Sequence, residues 1–265
     1  MIVNGLLNSG MPYYREHPLN IDIDRLGKCY FDVKSKLGLK TDDKTLIDFN
    51  AICVNRIPGD ENSVTGGNIR GLYWTMPDTT NHEEQRLEPV QEHLYTEICP
   101  EFKNTYVEEV YNLINKRWKI GRVRFLMKPP RTCLSWHRDP EMRLHIPIIT
   151  NKGCKMVIEN EAFHMPANGS AYLTDNRQYH NFFNGSEIER VHLVATVLAQ
   201  GLDEMHLDES WRDEVSYEIE TMGSEKKEKS LHEVLMEGFE EEQRQRELEE
   251  EEHPNCGTDD CCKEC

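Results

Sequence analysis

Apolar and polar residues alternate in short blocks through the second half of the chain, and that period of two predicts β-structure there. Runs at 122–128, 134–137, 144–150, 155–159, 162–165, 170–174, 179–184 and 190–198 are rich in β-branched and aromatic residues. Turn residues separate them, as at Pro129-Pro130, Pro166-Ala167-Asn168-Gly169 and Asn184-Gly185-Ser186. Upstream, 46–56 (LIDFNAICVNR) reads as a strand added to the main sheet, and Pro58-Gly59-Asp60 turns the chain. Thr65-Gly66-Gly67-Asn68 is a loop before Gly71-Leu72-Tyr73-Trp74; it is either an ordinary turn beside core aromatics or a cap on an active site. Residues 83–117 take a helical period: Leu87, Val90, Leu94 and Ile98 recur at three- and four-residue spacing, Pro100 interrupts, and Tyr106, Val110, Leu113 and Ile114 resume.

The last 65 residues are a different material. Ser230 and Glu233 have the spacing of a capping box, and Leu231, Val234, Leu235 and Phe239 give a thin apolar stripe, so one helix is expected before Glu249-Glu250-Glu251-Glu252. The formal net charge of −17 is concentrated there: residues 1–200 hold 24 Lys+Arg against 25 Asp+Glu, whereas 201–265 hold 7 against 23. A near-neutral domain at 1–200, with a barrel core at about 120–200, and an acidic appendage at 201–265 follow. The acidic tail repels phosphate, which disfavours a nucleic-acid substrate.

Cys29, Cys53, Cys99, Cys133 and Cys154 lack a disulfide-framework spacing, and residues 1–10 lack the charged head and apolar stretch of a signal peptide. No apolar run approaches the roughly 18 residues of a membrane span. A reducing, cytoplasmic setting is therefore expected. Cys256, Cys261, Cys262 and Cys265 crowd the far terminus in a spacing foreign to zinc fingers, so disordered thiols or redox exchange are expected over a metal site.

The chemistry concentrates in His137-Arg138-Asp139, Arg143-Leu144-His145, His180 and Arg190. In extended chain, side chains alternate between faces, so His137 and Asp139 project together and Arg138 points away. A distant His180 completes two imidazoles and one carboxylate, the facial set that holds non-heme Fe(II) and leaves positions open for a cosubstrate and O2. A tripeptide HxD alone is weak: His206-Leu207-Asp208 repeats it in an acidic stretch with no strand pattern, and we read that copy as a decoy. Arg190 opens the strand-like run RVHLVATV, and its guanidinium suits a bidentate clamp on one end of a dicarboxylate such as 2-oxoglutarate.

The ordered segments RLHIPIITN (143–151), NGSAY (168–172), YHN (179–181) and RVHL (190–193) resemble the aspartyl/asparaginyl β-hydroxylase family of 2-oxoglutarate- and Fe(II)-dependent oxygenases, which includes proline hydroxylases. The resemblance covers roughly 120–200. It implies a mainly β chain, a double-stranded β-helix of the jelly-roll, cupin-like type with flanking helices. It implies metal ligands at His137, Asp139 and His180, an anchor for the far carboxylate of 2-oxoglutarate at Arg190, and pocket roles for Arg143 and His145 toward cosubstrate or substrate. Animal aspartyl hydroxylases of the family carry glycine where this chain has Asp139, so the chain is similar to the branch that keeps a full triad.

The expected activity is hydroxylation of an amino acid, free or within a protein, with Fe(II), 2-oxoglutarate and O2. Two other classes compete: a non-catalytic cupin-like binding module, and an interaction protein whose acidic tail recruits a basic partner.

Overall fold

Antiparallel pairing organises the chain, and the order in which strands join two sheets defines the architecture. The computed structural model describes residues 13–37, 51–77 and 82–198. In chain order these form β1 (Tyr14–Pro18), α1 (Ile23–Lys36), β2 (Ala51–Cys53), β3 (Asn55–Arg56), β4 (Tyr73–Thr75), β5 (Glu84–Arg86), β6 (Glu97–Ile98), α2 (Tyr106–Arg117), β7 (Ile120–Lys128), β8 (Thr132–Cys133), β9 (Met142–Ile149), β10 (Cys154–Ile158), β11 (Glu161–Phe163), β12 (Ser170–Thr174), β13 (His180–Asn184) and β14 (Arg190–Val197). A six-stranded sheet has the order β1-β12-β9-β14-β7-β2, and a four-stranded sheet the order β11-β10-β13-β8. From β7 onward the chain crosses repeatedly between the two sheets, which is the winding of a double-stranded β-helix.

Alternation gives the six-stranded sheet two unlike faces. Val123 and Phe125 of β7, Leu144 and Ile146 of β9, and Val191 and Leu193 of β14 are buried on the side covered by helices. Tyr30 of α1 and Phe102 pack on Phe125 at ring distances of 5.2 and 5.7 Å. Helix α1 starts where Asp22 accepts a hydrogen bond from the Arg25 amide (3.0 Å), and it buries Leu26, Tyr30 and Val33. The sequence pattern left β1 and α1 unassigned; β1 extends the sheet beyond β12.

The helix expected across 83–117 forms only in its second half, as α2. Its first half is β5, a short 3-10 turn at Glu92–Leu94, and β6. Leu87 takes a positive φ of 59°, Pro89 supplies no amide hydrogen, and Leu87 and Leu94 are exposed, so the apolar spacing there does not trace a buried helical face. The strand expected at 46–56 is described from Ala51 and splits at Val54: β2 joins β7, and β3 pairs with β6.

The strand expected at 134–137 is also modified. Cys133 pairs with Phe183, Leu134 donates its amide to the Phe182 carbonyl (2.9 Å), and His137 pairs with His180. Four steps on this side therefore match three on β13, a bulge that re-aims the segment carrying His137. Residues 46–50, the decoy His206-Leu207-Asp208, the helix expected from Ser230 and the four terminal cysteines lie outside the described residues.

Candidate metal centre and anion pocket

Between the sheets lies a cavity of about 560 Å³, walled by both sheets and by residues 69–73. Three ligand atoms meet at one end. His137, Asp139 and His180 each offer one, all within 4.8 Å of one another. His137 and Asp139 follow the bulge beyond β8, and His180 opens β13; mutual backbone hydrogen bonds of 3.0 and 2.7 Å tie His137 to His180.

The tautomers follow from the outer partners. His137 Nδ1 lies 2.6 Å from the Ser135 carbonyl and His180 Nδ1 lies 3.0 Å from the Gln178 carbonyl, so each Nδ1–H donates and Nε2 is the nitrogen each ring offers to a metal. His137 Nε2 faces Asp139 Oδ1 at 3.9 Å. The other Asp139 oxygen is ion-paired with Arg143 Nη2 at 3.1 Å, which orients the carboxylate and leaves Oδ1 toward the imidazoles. Burial pushes His180 down to about 4, so its ring is neutral at ordinary pH. Two imidazole nitrogens and one carboxylate oxygen suit a divalent transition metal with open positions. The Asn176 amide donates to His180 Nε2 (2.9 Å), held in that orientation by Thr174 Oγ1 on Asn176 Oδ1 (2.5 Å); a metal on Nε2 takes the place of that bond.

Arg190 is deeply buried in the same cavity, at the first position of β14. Its Nη2 donates to His192 Nδ1 (2.5 Å), its guanidinium carbon lies 3.9 Å from the centre of the Phe182 ring, and its Nε has no partner. Burial pushes its pKa down, and no carboxylate among the described residues pairs with it. A buried cation without a counter-charge is costly, and an anionic ligand would relieve that cost.

Arg143 and His145 both line the cavity. Arg143 is engaged by Asp139 and by Glu141 (3.3 Å). His145 has neither ring nitrogen partnered, stands 5.6 Å from the His192 ring, and is held neutral first by burial and then by the charge of Arg190. Arg138 points outward as the alternation requires, donating to Glu83 (2.6 Å) and stacking over Trp74 at 4.0 Å. His164 bonds the Cys154 carbonyl (3.1 Å), and Tyr172 donates to Asn168 Oδ1 (3.1 Å); Tyr172 belongs to the packed interior, with Met156 and Phe182.

Sequence reasoning missed Glu92, Arg122, Arg124 and Asn176. Arg122 is clamped by Glu92 (2.7 Å) and donates to the carbonyls of Gly67 (2.9 Å) and Ile69 (2.7 Å), which fastens the glycine loop to the cavity wall. A Cβ on Gly67 would come within 2.7 Å of Cys53 Sγ, so that loop is packed rather than free to swing. Burial alone would raise the Glu92 carboxyl, but the Arg122 hydrogen bonds and charge outweigh it and hold it below the usual range. The available signal was Arg122-Val123-Arg124, two arginines on one face of an otherwise apolar strand.

Residues 83–199 match the family model described as Aspartyl/Asparaginyl beta-hydroxylase. No curated protein matches the chain. Among solved structures it is similar to a 2OG-Fe(II) oxygenase family oxidoreductase from Burkholderia pseudomallei, 18% identical over 35% of this chain and 58% of that one, with a TM-score of 0.30. It is also similar to a Pseudomonas putida prolyl-4-hydroxylase, 10% identical over 70% of this chain and 92% of that one (TM-score 0.38). A viral collagen prolyl hydroxylase from Paramecium Bursaria Chlorella virus-1 is 10% identical, over 70% and 96% of the two chains (TM-score 0.34).

Proposed function

For a chain whose residues 83–199 match the aspartyl/asparaginyl β-hydroxylase family model, we propose a 2-oxoglutarate- and Fe(II)-dependent dioxygenase of that family that hydroxylates an amino acid, free or as a residue of a protein. The observation that carries this reading is the sharing of one cavity by the His137-Asp139-His180 cluster and the unpaired, buried Arg190. In this reading His137 Nε2, His180 Nε2 and an Asp139 oxygen hold the metal. Fe(II) bound there supplies the redox chemistry that couples decarboxylation of 2-oxoglutarate to succinate with insertion of one oxygen atom into a C–H bond.

The chain's own residues do the rest. Arg190 receives the far carboxylate of 2-oxoglutarate, and His192 Nδ1 fixes the guanidinium that does so. Leu134, Met156 and Phe182 make an apolar wall that keeps water from the reacting bond. Arg143 neutralises and aims Asp139. A cytoplasmic, reducing setting forms part of the proposal; the five described cysteines, all free thiols, support it. No helix among the described residues is long and apolar enough to cross a membrane.

Incubation with Fe(II), ascorbate, 2-oxoglutarate and either free amino acids or cell lysate tests the activity. Succinate and a mass gain of one oxygen should appear together, and both should vanish in Arg190→Ala. A wild-type protein that binds 2-oxoglutarate without ever consuming it would instead be a binding module.

A further inference from the structure

The cavity contains a second buried cation that the reading above does not use. Arg124 lies on β7, is only 8% exposed, and lines the same cavity as Arg190. Its Nε has no hydrogen-bond partner, and no carboxylate among the described residues forms an ion pair with it. The neighbouring cations differ in this respect: Glu92 is spent on Arg122 through several hydrogen bonds, and Asp139 and Glu141 are spent on Arg143. Cys53, its partner across β2, is no counter-ion, because its thiol bonds Asn68 Oδ1 (3.0 Å) and burial pushes its pKa up to about 11.

Position separates Arg124 from Arg190. Across the sheet Arg190 pairs with Lys128, whereas Arg124 pairs with Val194, which in turn pairs with His145. Four steps along the strand therefore separate the rungs of the two arginines, roughly 13 Å at the usual rise, and Arg124 shares its rung with His145, next to the rung of Arg143. We infer that Arg124 is a second carboxylate anchor in this cavity, holding a carboxylate that Arg190 does not. Amino acids and other small carboxylic acids are then the substrate class this cavity selects, unless the carboxylate is the metal-side group of 2-oxoglutarate. The inference rests on the proposed dioxygenase for its biological meaning, but the anion site itself does not.

Formate is the probe. Thermal melting of the full chain is followed in sodium formate against sodium chloride of equal ionic strength, for wild type, Arg124→Met and Arg124→Gln. Formate should raise the wild-type Tm by about 3 °C or more, and at least half of that rise should be lost in both variants. Without ligand the variants should melt no lower than wild type, since they remove a buried charge that no ion pair among the described residues offsets; a merely structural arginine would lower the Tm. Calorimetric titration with 2-oxoglutarate in the presence of Mn(II) assigns the source. Affinity within threefold of wild type gives the carboxylate to the substrate, and a tenfold loss gives it to 2-oxoglutarate. An equal formate response in wild type and variants, or none in wild type, overturns the inference. If wild type binds no 2-oxoglutarate, the dioxygenase reading falls instead, and the formate comparison still decides Arg124.

Discussion

The two faces of the six-stranded sheet are built from the same strands and do opposite work. On β7, β9 and β14 the sequence alternates nitrogen-bearing and apolar side chains: Arg122-Val123-Arg124-Phe125, Arg143-Leu144-His145-Ile146, Arg190-Val191-His192-Leu193. Toward the helices the apolar members are buried, Phe125 against Tyr30 and Phe102, and each fully buried side chain stabilises the fold by about 1.5–3 kcal/mol. Toward the cavity Arg122, Arg124, His145, Arg190 and His192 are buried too, and some of their nitrogens lack partners. Burial alone therefore does not mean stabilisation. One face pays for the other, and the uncompensated face is where a ligand gains its binding energy.

The sharpest break of this contrast is at the cavity end that gathers the metal ligands. His180→Ala and His137→Ala should each lower Fe(II)-dependent succinate formation by more than about 100-fold, beyond what loss of an outer-shell partner costs, while Asp208→Ala should leave it near wild type. Equal loss at Asp208 would sink the assignment.

On the helix face, Phe125→Ala should cost about 3–5 kcal/mol in urea unfolding, whereas removing Arg124 on the cavity face should cost nothing. A similar magnitude, about 3–5 kcal/mol, is expected for Glu92→Gln, because it strands the buried Arg122 charge. Since the folded Glu92 pKa is lowered, its contribution is complete above the unfolded carboxylate value near 4.5 and disappears as pH falls through the folded value. A urea midpoint series from pH 7 to 3 should show that decline in wild type and lack it in the variant.

Smaller effects test the ligand end of the cavity. Arg190→Lys keeps the charge but loses the planar fork, so 2-oxoglutarate should bind more weakly by about 1–3 kcal/mol in calorimetry. An unchanged affinity would move the anchor elsewhere. The smallest expected signal is acid sensitivity from His145. Its folded pKa is depressed, so the unfolded chain takes up more protons below pH 6.5 and stability falls as pH drops, by at most about 1.4 kcal/mol per pH unit. His145→Phe should flatten that slope in melts between pH 7 and 5.

The barrel strands were legible because alternation is a local property. A residue's face is set by its parity along the strand, and observed bounds such as Ser170–Thr174 and Arg190–Val197 fall within a residue or two of the expected runs. The grouping of His137, Asp139 and His180 was legible as a spacing of metal-competent residue types, and the structure brings them within 4.8 Å. The region 83–98 was not legible. Its three- and four-residue apolar spacing is a helical pattern, yet Glu92 is drawn onto Arg122, thirty residues away, and that buried pair outweighs local propensity. No window of sequence contains both partners.

By itself, then, the sequence determined which residues could face a common interior, since period, turn residues and residue chemistry are carried by neighbours along the chain. Only the tertiary structure decided which of the cations facing that interior are matched. Arg122 and Arg143 acquire carboxylates from Glu92, Asp139 and Glu141, while Arg124 and Arg190 acquire none among the described residues. The reason is that compensation of charge is a property of distance in space, falling off within a few ångströms, and strand pairing between β7, β9 and β14 sets those distances.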